Sequence, residues 1–124
     1  MPEYRIIIVD DDPNLISGLR RSLFEKSSDW DIYYTETAQD AIKQLSAGTY
    51  DLIITDYKMP GMNGLELLSH VKEKFPAVKR ILLTGQSESE VFETSQDIVH
   101  VYLSKPLPTA ELINAIETLI DSPK

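Results

Sequence analysis

Four short apolar segments of this chain each end in side chains that could take part in chemistry. In chain order these side chains are the carboxylates of Asp10, Asp11 and Asp12, the carboxylate of Asp56, the hydroxyl of Thr84 and the amine of Lys105. Short apolar runs are typical of buried parallel strands. Ligands bind outside the carboxyl ends of such strands, at one edge of the sheet. Acids, a hydroxyl and an amine at this edge would suit a hard cation and a phosphoryl group.

The carboxylates favour a metal site. Magnesium prefers oxygen ligands and is usually held by one or two carboxylates together with water and phosphate oxygens. Asp10, Asp11 and Asp56 would supply this charge, and without a cation they would repel one another. Asp12 has a simpler explanation, because an acid before Pro13 suits the N-cap of a helix. Capping does not explain three acids in a row, so we predict a metal role for Asp10 and Asp11.

Three other strand-end side chains suit phosphoryl chemistry. Asp56 is the candidate nucleophile, because a carboxylate can accept a phosphoryl group. Lys105 is a flexible point charge that can pair with a carboxylate or a phosphate, and Pro106 after it can hold a cis bond. Thr84 could donate a hydrogen bond to a phosphoryl oxygen. Each residue alone could equally be a turn aspartate, a solvated lysine or a β-branched strand residue, and only their combination favours a site.

Length and composition narrow the class of protein. The 124 residues suit a single domain over 1–124, with 121–124 a frayed end or the start of a linker. The absence of cysteine excludes disulfides, thiolate zinc sites and cysteine nucleophiles, and it fits a reducing, cytoplasmic location. The net charge of −8 argues against nucleic-acid binding. No apolar stretch approaches the roughly 20 residues that span a membrane.

The spacing of apolar residues predicts five strand–helix pairs. The predicted strands cover residues 4–9, 30–35, 50–55, 78–83 and 99–103. The helix after the fourth strand, over 87–95, has few apolar residues, and Thr109 is expected to cap the last helix. Alternating strands and helices indicate an α/β fold, in which helices cover both faces of one five-stranded parallel sheet.

The polar strand ends lie within longer motifs that carry a family resemblance. These motifs are residues 9–13 (VDDDP), 56–64 (DYKMPGMNG), 84–85 (TG) and 102–106 (YLSKP). Through them the chain resembles the receiver (CheY-like) domain of two-component response regulators, over essentially its whole length. The resemblance implies a doubly wound, flavodoxin-like (βα)5 fold and a phosphorylation-dependent signalling switch rather than a turnover enzyme.

The resemblance also implies specific roles. Asp56 matches the phosphoacceptor, and Asp10 and Asp11 match an acidic pair that binds Mg²⁺, with Asp11 as the direct ligand. Lys58 would offer its backbone carbonyl to the metal. Lys105 matches a catalytic lysine, and its bond to Pro106 would be cis. The phosphodonor would be a histidine kinase or a histidine phosphotransfer protein.

The expected switch residues are Thr84 and Tyr102. In this scheme Thr84 moves to hydrogen-bond the phosphoryl group, and Tyr102 turns into the space that Thr84 leaves. The change alters the face made by the predicted fourth helix, the fifth strand and the last helix, which a downstream output domain or protein reads. No membrane or nucleic-acid partner is expected for this domain.

Two other functions share parts of this pattern. A haloacid-dehalogenase-type phosphatase also begins with an apolar strand and acids spaced like Asp10 and Asp12, but here Pro13 follows and the chain lacks room for a cap and a later acidic motif. A degenerate receiver would bind partners without phosphate, and the complete set of acidic, hydroxyl and amine residues argues against it.

Lys58 either shields Asp56 from water or points to solvent, and both alternatives stay open.

Overall fold

Strands and helices alternate along the chain as the apolar spacing predicts. The computed structural model describes residues 4–26, 29–85 and 95–121. The strands in these residues are β1 (Tyr4–Val9), β2 (Trp30–Thr35), β3 (Leu52–Asp56), β4 (Lys79–Thr84) and β5 (Val101–Ser104). The α-helices are α1 (Pro13–Ser22), α2 (Ala38–Ala47), α3 (Gly64–Lys74) and the C-terminal helix α4 (Thr109–Asp121), with a 3₁₀ turn at Phe24–Lys26. Apart from Ser95, the predicted helix over 87–95 lies outside the described residues.

The five strands form one parallel sheet in the order β2-β1-β3-β4-β5. This is the flavodoxin-like order of a doubly wound fold, so the predicted fold class is confirmed. The register aligns the carboxyl ends of the strands: Val9 pairs with Thr55, and Thr84 pairs with Ser104. The polar residues that follow β1 and β5 therefore meet those that end β3 and β4.

Both faces of the sheet are buried. Ile7 and Ile53 pack with α2 and α3 on one face, while Ile8 and Ile54 pack with α1 and α4 on the other. These four isoleucines are fully buried, and each contributes about 1.5–3 kcal/mol of hydrophobic stabilisation. Burial on both faces explains why the strands read as continuous apolar runs. None of the described helices is long and apolar enough to cross a membrane.

The helix starts fix the loops above the sheet. The Asp12 carboxylate accepts a hydrogen bond from the Asn14 N–H at 2.9 Å, which confirms its prediction as the N-cap of α1. The prediction for Thr109 is wrong: Thr109 is the first helical residue of α4. The carbonyl of Pro108 accepts the N–H of Leu112, so Pro108 takes the cap position.

A buried arginine organises the amino end of β4. Arg80 is only 6% exposed. Its guanidinium donates to the carbonyls of Ile98 at 2.6 Å, Val78 at 3.0 Å and Pro76 at 3.5 Å. Burial lowers the pKa of Arg80 from its ordinary value. The Arg80 backbone N–H donates to Nδ1 of His100 at 3.0 Å, so this histidine has a structural partner.

Candidate functional site

The carboxyl edge of the sheet brings Asp10, Asp56 and Lys105 together. Lys105 Nζ lies 3.1 Å from Asp10 Oδ2 and 3.1 Å from Asp56 Oδ1. The Asp10 side chain is fully buried, and that of Asp56 is 10% exposed. The amine therefore bridges two carboxylates that come from neighbouring strands, as expected from the strand-end pattern.

Backbone hydrogen bonds hold these side chains in place. The N–H of Asp10 donates to the carbonyl of Thr35 at 3.1 Å, and Asp10 Oδ1 accepts the N–H of Asp12 at 2.9 Å. Both Asp10 oxygens are thus in use. The N–H of Lys105 donates to the Thr84 carbonyl at 2.9 Å, and the bond from Lys105 to Pro106 is cis. Lys105 is therefore anchored at both its backbone and its amine.

Three carboxylates could hold a metal ion at this edge. One oxygen each from Asp10, Asp11 and Asp56 lies within 4.8 Å of the others. Asp11 is exposed and opens onto a cleft of about 560 Å³. The other residues that line this cleft are Tyr57, Lys58, Met59, Pro60, Gly61 and Asn63. Carboxylate oxygens beside an open cleft are ligands that suit a hard cation which retains water.

The charges at the site are not balanced. Burial raises the pKa of Asp56 above its ordinary value of 3.8, and the charge of Asp10 raises it further. Lys105 acts in the opposite direction but does not reverse the shift. For Lys105, burial alone would lower the pKa, yet its hydrogen bonds and charge interactions with Asp10 and Asp56 raise it. One amine thus leaves net negative charge, which a bound cation would offset.

The hydroxyl at the end of β4 has no hydrogen-bond partner among the described residues. Thr84 is 1% exposed, and its Oγ1 is a buried polar atom without a partner. Thr55 of β3, which pairs with Leu82 two residues before Thr84, is also buried, but its Oγ1 donates to the carbonyl of Asp56 at 3.1 Å. An unsatisfied buried polar group costs about 1–3 kcal/mol. Thr84 is therefore a hydroxyl that a ligand could satisfy.

Tyr102 lies on the same face of the sheet as Thr84. Tyr102 pairs with Leu82, two residues before Thr84 on the adjacent strand, and residues two apart share a face. Its ring is half-buried against the α2 and α3 side of the core. Its hydroxyl is hydrogen-bonded to Oγ of Ser95, which is fully buried. Nothing in the sequence pattern indicated this contact with Ser95.

Gly64 is a positioning residue that the sequence interpretation did not single out. A Cβ added to Gly64 would lie 2.1 Å from the carbonyl oxygen of Asp56, and the N–H of Gly64 donates to the Tyr57 carbonyl at 2.8 Å. A capping box formed by Asn63 and Glu66 starts α3 at this point. The spacing of Asn63 and Glu66 is the sequence signal that could have located this close approach.

Comparison with known proteins gives one consistent result. The family model described as response regulator receiver domain matches residues 6–117. Chemotaxis protein CheY of Pseudomonas aeruginosa is 30% identical, and the match covers 94% of this chain and 96% of CheY. The hydrogenase transcriptional regulatory protein HoxA of Cupriavidus necator is 27% identical over 94% of this chain, which spans only 24% of HoxA.

Solved structures share the fold and the arrangement of the sheet. The response regulator protein TrrA from Thermotoga maritima, solved in complex with Mg(2+)-BeF, is 33% identical with a TM-score of 0.82. The match covers 94% of this chain and 98% of TrrA. A CheY-like receiver domain from Methanospirillum hungatei gives a TM-score of 0.87 at 27% identity, covering 95% and 94% of the two chains. These comparisons do not favour the haloacid-dehalogenase alternative.

Proposed function

This chain belongs to the response regulator receiver domain family, and we propose that it is a phosphorylation-dependent switch whose phosphoacceptor is Asp56. The observation that carries the proposal is the position of the Asp56 carboxylate. One of its oxygens pairs with Lys105, and the carboxylate lies beside Asp10 and Asp11 at the edge of an open cleft. The candidate nucleophile, the ammonium group of Lys105 and the two acids thus lie together at one edge of the sheet.

The residues present fit a bound Mg²⁺. Asp10, Asp11 and Asp56 would hold it, together with the backbone carbonyl of Lys58, which is an exposed residue on the cleft wall. Burial and then the charge of Asp10 raise the pKa of Asp56, and a cation held by these ligands would offset both effects. When bound, the cation would supply charge neutralisation for the phosphoryl oxygens.

The proposed reaction is a direct phosphoryl transfer. An Asp56 oxygen attacks the phosphorus of a phosphohistidine, the P–N bond breaks and a P–O bond forms, so the donor histidine leaves with the electron pair. Such a transfer depends on positioning and electrostatic stabilisation rather than on further covalent chemistry. The Lys105 amine, 3.1 Å from Asp56, stabilises the charge that arrives with the phosphoryl group.

Thr84 and Tyr102 would convert the modification into a change of shape. The Thr84 hydroxyl, which has no partner in the described part of the chain, gains a hydrogen bond to the phosphoryl group, and this favours the conformation in which Thr84 has moved towards it. Tyr102, on the same face and two register positions away, then turns into the space that Thr84 leaves. The two conformations exist in equilibrium, and phosphorylation shifts their populations.

The partners follow from the same scheme. The phosphodonor is a histidine kinase or histidine phosphotransfer protein, and an output domain or protein reads the altered face that includes β5 and α4. HoxA carries a match to this chain over about a quarter of its own length, so an output module can accompany such a domain. The chain catalyses its own modification and is not a turnover enzyme.

Intact mass measurement tests the chemistry. The protein is incubated with Mg²⁺ and the small phosphodonor acetyl phosphate, and Asp56→Asn is treated in parallel. We expect the wild type to gain the mass of one phosphoryl group and the variant to gain none, because the amide is not a nucleophile for this transfer. Equal labelling of both proteins would contradict the assignment of Asp56.

A second variant separates modification from output. Removing the ring in Tyr102→Ala should leave phosphorylation of Asp56 intact but weaken the response of a partner that reads the switched face. Loss of phosphorylation in this variant would contradict the division of roles between Asp56 and Tyr102.

A further inference from the structure

An aromatic side chain is exposed at the end of α1, away from the phosphorylation site. Phe24 is 74% exposed, and among the described residues it is the only large apolar side chain that is largely exposed. Its neighbour Leu23 is buried in the core at 2% exposure. The C-cap residue of α1 is therefore buried, and the first residue of the following 3₁₀ turn is presented to solvent. A single exposed apolar side chain is ordinary by itself, so the surroundings of Phe24 decide whether it belongs to an interaction site.

Clefts lie on both sides of Phe24. One, of about 230 Å³, has a mostly apolar and aromatic wall with one basic and one acidic side chain, and it is lined by Arg20, Leu23, Phe24, Trp30, Asp31, Ile32 and Tyr34. The other, of about 430 Å³, is lined by Arg20, Arg21 and Phe24. The first cleft lies along β2, an edge strand that pairs only with β1. Aromatic and arginine side chains around a concave surface have the composition of protein–protein hot spots.

The two clefts beside Phe24 are lined by two arginines and one acid, Asp31, so their net charge is positive in a chain of net charge −8. Arg20 and Arg21 are exposed, and neither forms an ion pair with any described residue. The Arg20 guanidinium lies 4.5 Å above the centre of the Tyr34 ring, which orients it beside the cleft. The neighbouring acid Asp31 is engaged by Arg5 at 3.4 Å. Two unpaired arginines in a chain of net charge −8 favour an acidic partner.

We propose that Arg20, Arg21, Phe24, Trp30 and Tyr34, here called the Phe24 patch, dock an acidic segment of a partner protein. The segment inserts one apolar side chain into the 230 Å³ cleft and places carboxylates beside the two arginines. Trp30 and Tyr34 lie near opposite ends of β2, so the patch runs along this edge strand. No residue of the patch belongs to the carboxylate and amine cluster around Asp56, and we expect docking to be independent of phosphorylation.

The single tryptophan of the chain provides a direct test. A short synthetic peptide of aspartate and glutamate around a central leucine, without tryptophan, is titrated into the full protein while Trp30 emission is followed. We expect a saturable change, because Trp30 borders the proposed cleft. Binding should weaken about tenfold in Arg20→Gln/Arg21→Gln and in Phe24→Ala. Lys43→Gln, which removes an exposed charge from α2 on the other face, should bind as the wild type does.

Control peptides and variants identify each contribution. Replacing the leucine by serine should abolish insertion, and replacing the acids by lysine should abolish binding. Asp56→Asn should bind the acidic peptide unchanged, so a failure at this patch is distinguishable from a failure of the phosphorylation proposal. Because Phe24, Arg20 and Arg21 are exposed, these variants are expected to fold, and circular dichroism checks this.

Three results would overturn the proposal. One is the absence of a saturable emission change with the acidic leucine peptide. Another is equal binding by Phe24→Ala, which would reduce the effect to unspecific charge attraction. The third is self-association that Phe24→Ala removes while no peptide binds, which would assign the patch to a second copy of this chain instead.

Discussion

Buried polar groups at the two ends of β4 differ in whether neighbouring residues satisfy their hydrogen bonds and charge. At the amino end, Arg80 is buried with a full charge, and three backbone carbonyls satisfy its guanidinium. At the carboxyl end, the Thr84 hydroxyl has no partner among the described residues, and Asp56 lies beside Asp10 with only one amine between them. Contacts within the described residues satisfy the buried polar group at the amino end but not the hydroxyl and the carboxylates at the carboxyl end. A bound cation and a phosphoryl group could supply the missing charge and hydrogen bond at the carboxyl end.

Replacing Arg80 should have the largest effect on stability. In Arg80→Met the carbonyls of Ile98 and Val78 lose their donor, so we expect the free energy of unfolding to fall by about 3 kcal/mol. Lys79→Met at the adjacent, half-buried position is the control and should change it by less than about 0.5 kcal/mol. Urea denaturation measures both. Equal effects would show that the carbonyl contacts of Arg80 contribute little.

Two glycines should respond oppositely to alanine. In Gly64→Ala the new Cβ would meet the Asp56 carbonyl at 2.1 Å, so the backbone must shift, at a cost of about 2 kcal/mol. The shift also displaces Asp56, and labelling by acetyl phosphate should slow. Gly18, within α1, has open space around its Cβ position. Gly18→Ala should therefore stabilise the protein by about 0.5–1 kcal/mol and leave labelling unchanged.

The two buried threonines offer a finer test. Thr84→Val removes a buried hydroxyl that has no partner among the described residues, so we expect the free energy of unfolding to rise by about 1 kcal/mol. Thr55→Val removes a hydroxyl that donates to the backbone carbonyl of Asp56, and the free energy of unfolding should fall by about the same amount. Thermal unfolding of the two variants measures the difference. Destabilisation of both would mean that Thr84 has a partner in solution.

The smallest expected effect is a pH dependence at Asp56. Its pKa is raised in the folded state, so the ionised carboxylate destabilises the fold, and this loss develops as pH rises from 3.8 through the folded-state pKa. Asp56→Asn mimics the neutral acid, so the variant should be more stable than the wild type at pH 7 and equal to it below pH 3.8. Adding Mg²⁺ at pH 7 should stabilise the wild type more than the variant. A stability gap that is constant with pH would contradict the raised pKa.

The sequence predicted the parts of the fold that depend on local pattern. β1 and β2 have the predicted bounds, and the strand-end groups meet where parallel topology places them. β3 and β4 end one residue later than predicted, so Asp56 and Thr84 belong to the strands themselves. In the sequence, a polar residue after an apolar run indicates the start of a loop. In the structure the strand pairing continues through Asp56 and Thr84.

The features that were not predicted depend on contacts between distant segments. In the sequence Arg80 follows Lys79, and two consecutive charged residues are usually exposed to solvent. Its burial among carbonyls arises only because β4 packs beside the segment that leads into β5. Residue types alone do not show that Ser95 is the partner of the Tyr102 hydroxyl. They also do not show that the Thr84 hydroxyl lacks a partner among the described residues. The roles of Lys58 and of the predicted helix over 87–95 stay predictions.

The contact between Lys105 and Asp56 also distinguishes the two oxygens of one carboxylate. Oδ1 is the oxygen that pairs with the amine of Lys105, at 3.1 Å. An ionised carboxylate in water is symmetric, and either oxygen can attack. Here the bound amine desymmetrises the group, so that in the proposed transfer the phosphorus would attach to Oδ2 while Oδ1 becomes the carbonyl of the mixed anhydride. The rotamer of the acyl phosphate, and hence the direction in which its phosphoryl oxygens project, would be selected before the donor arrives.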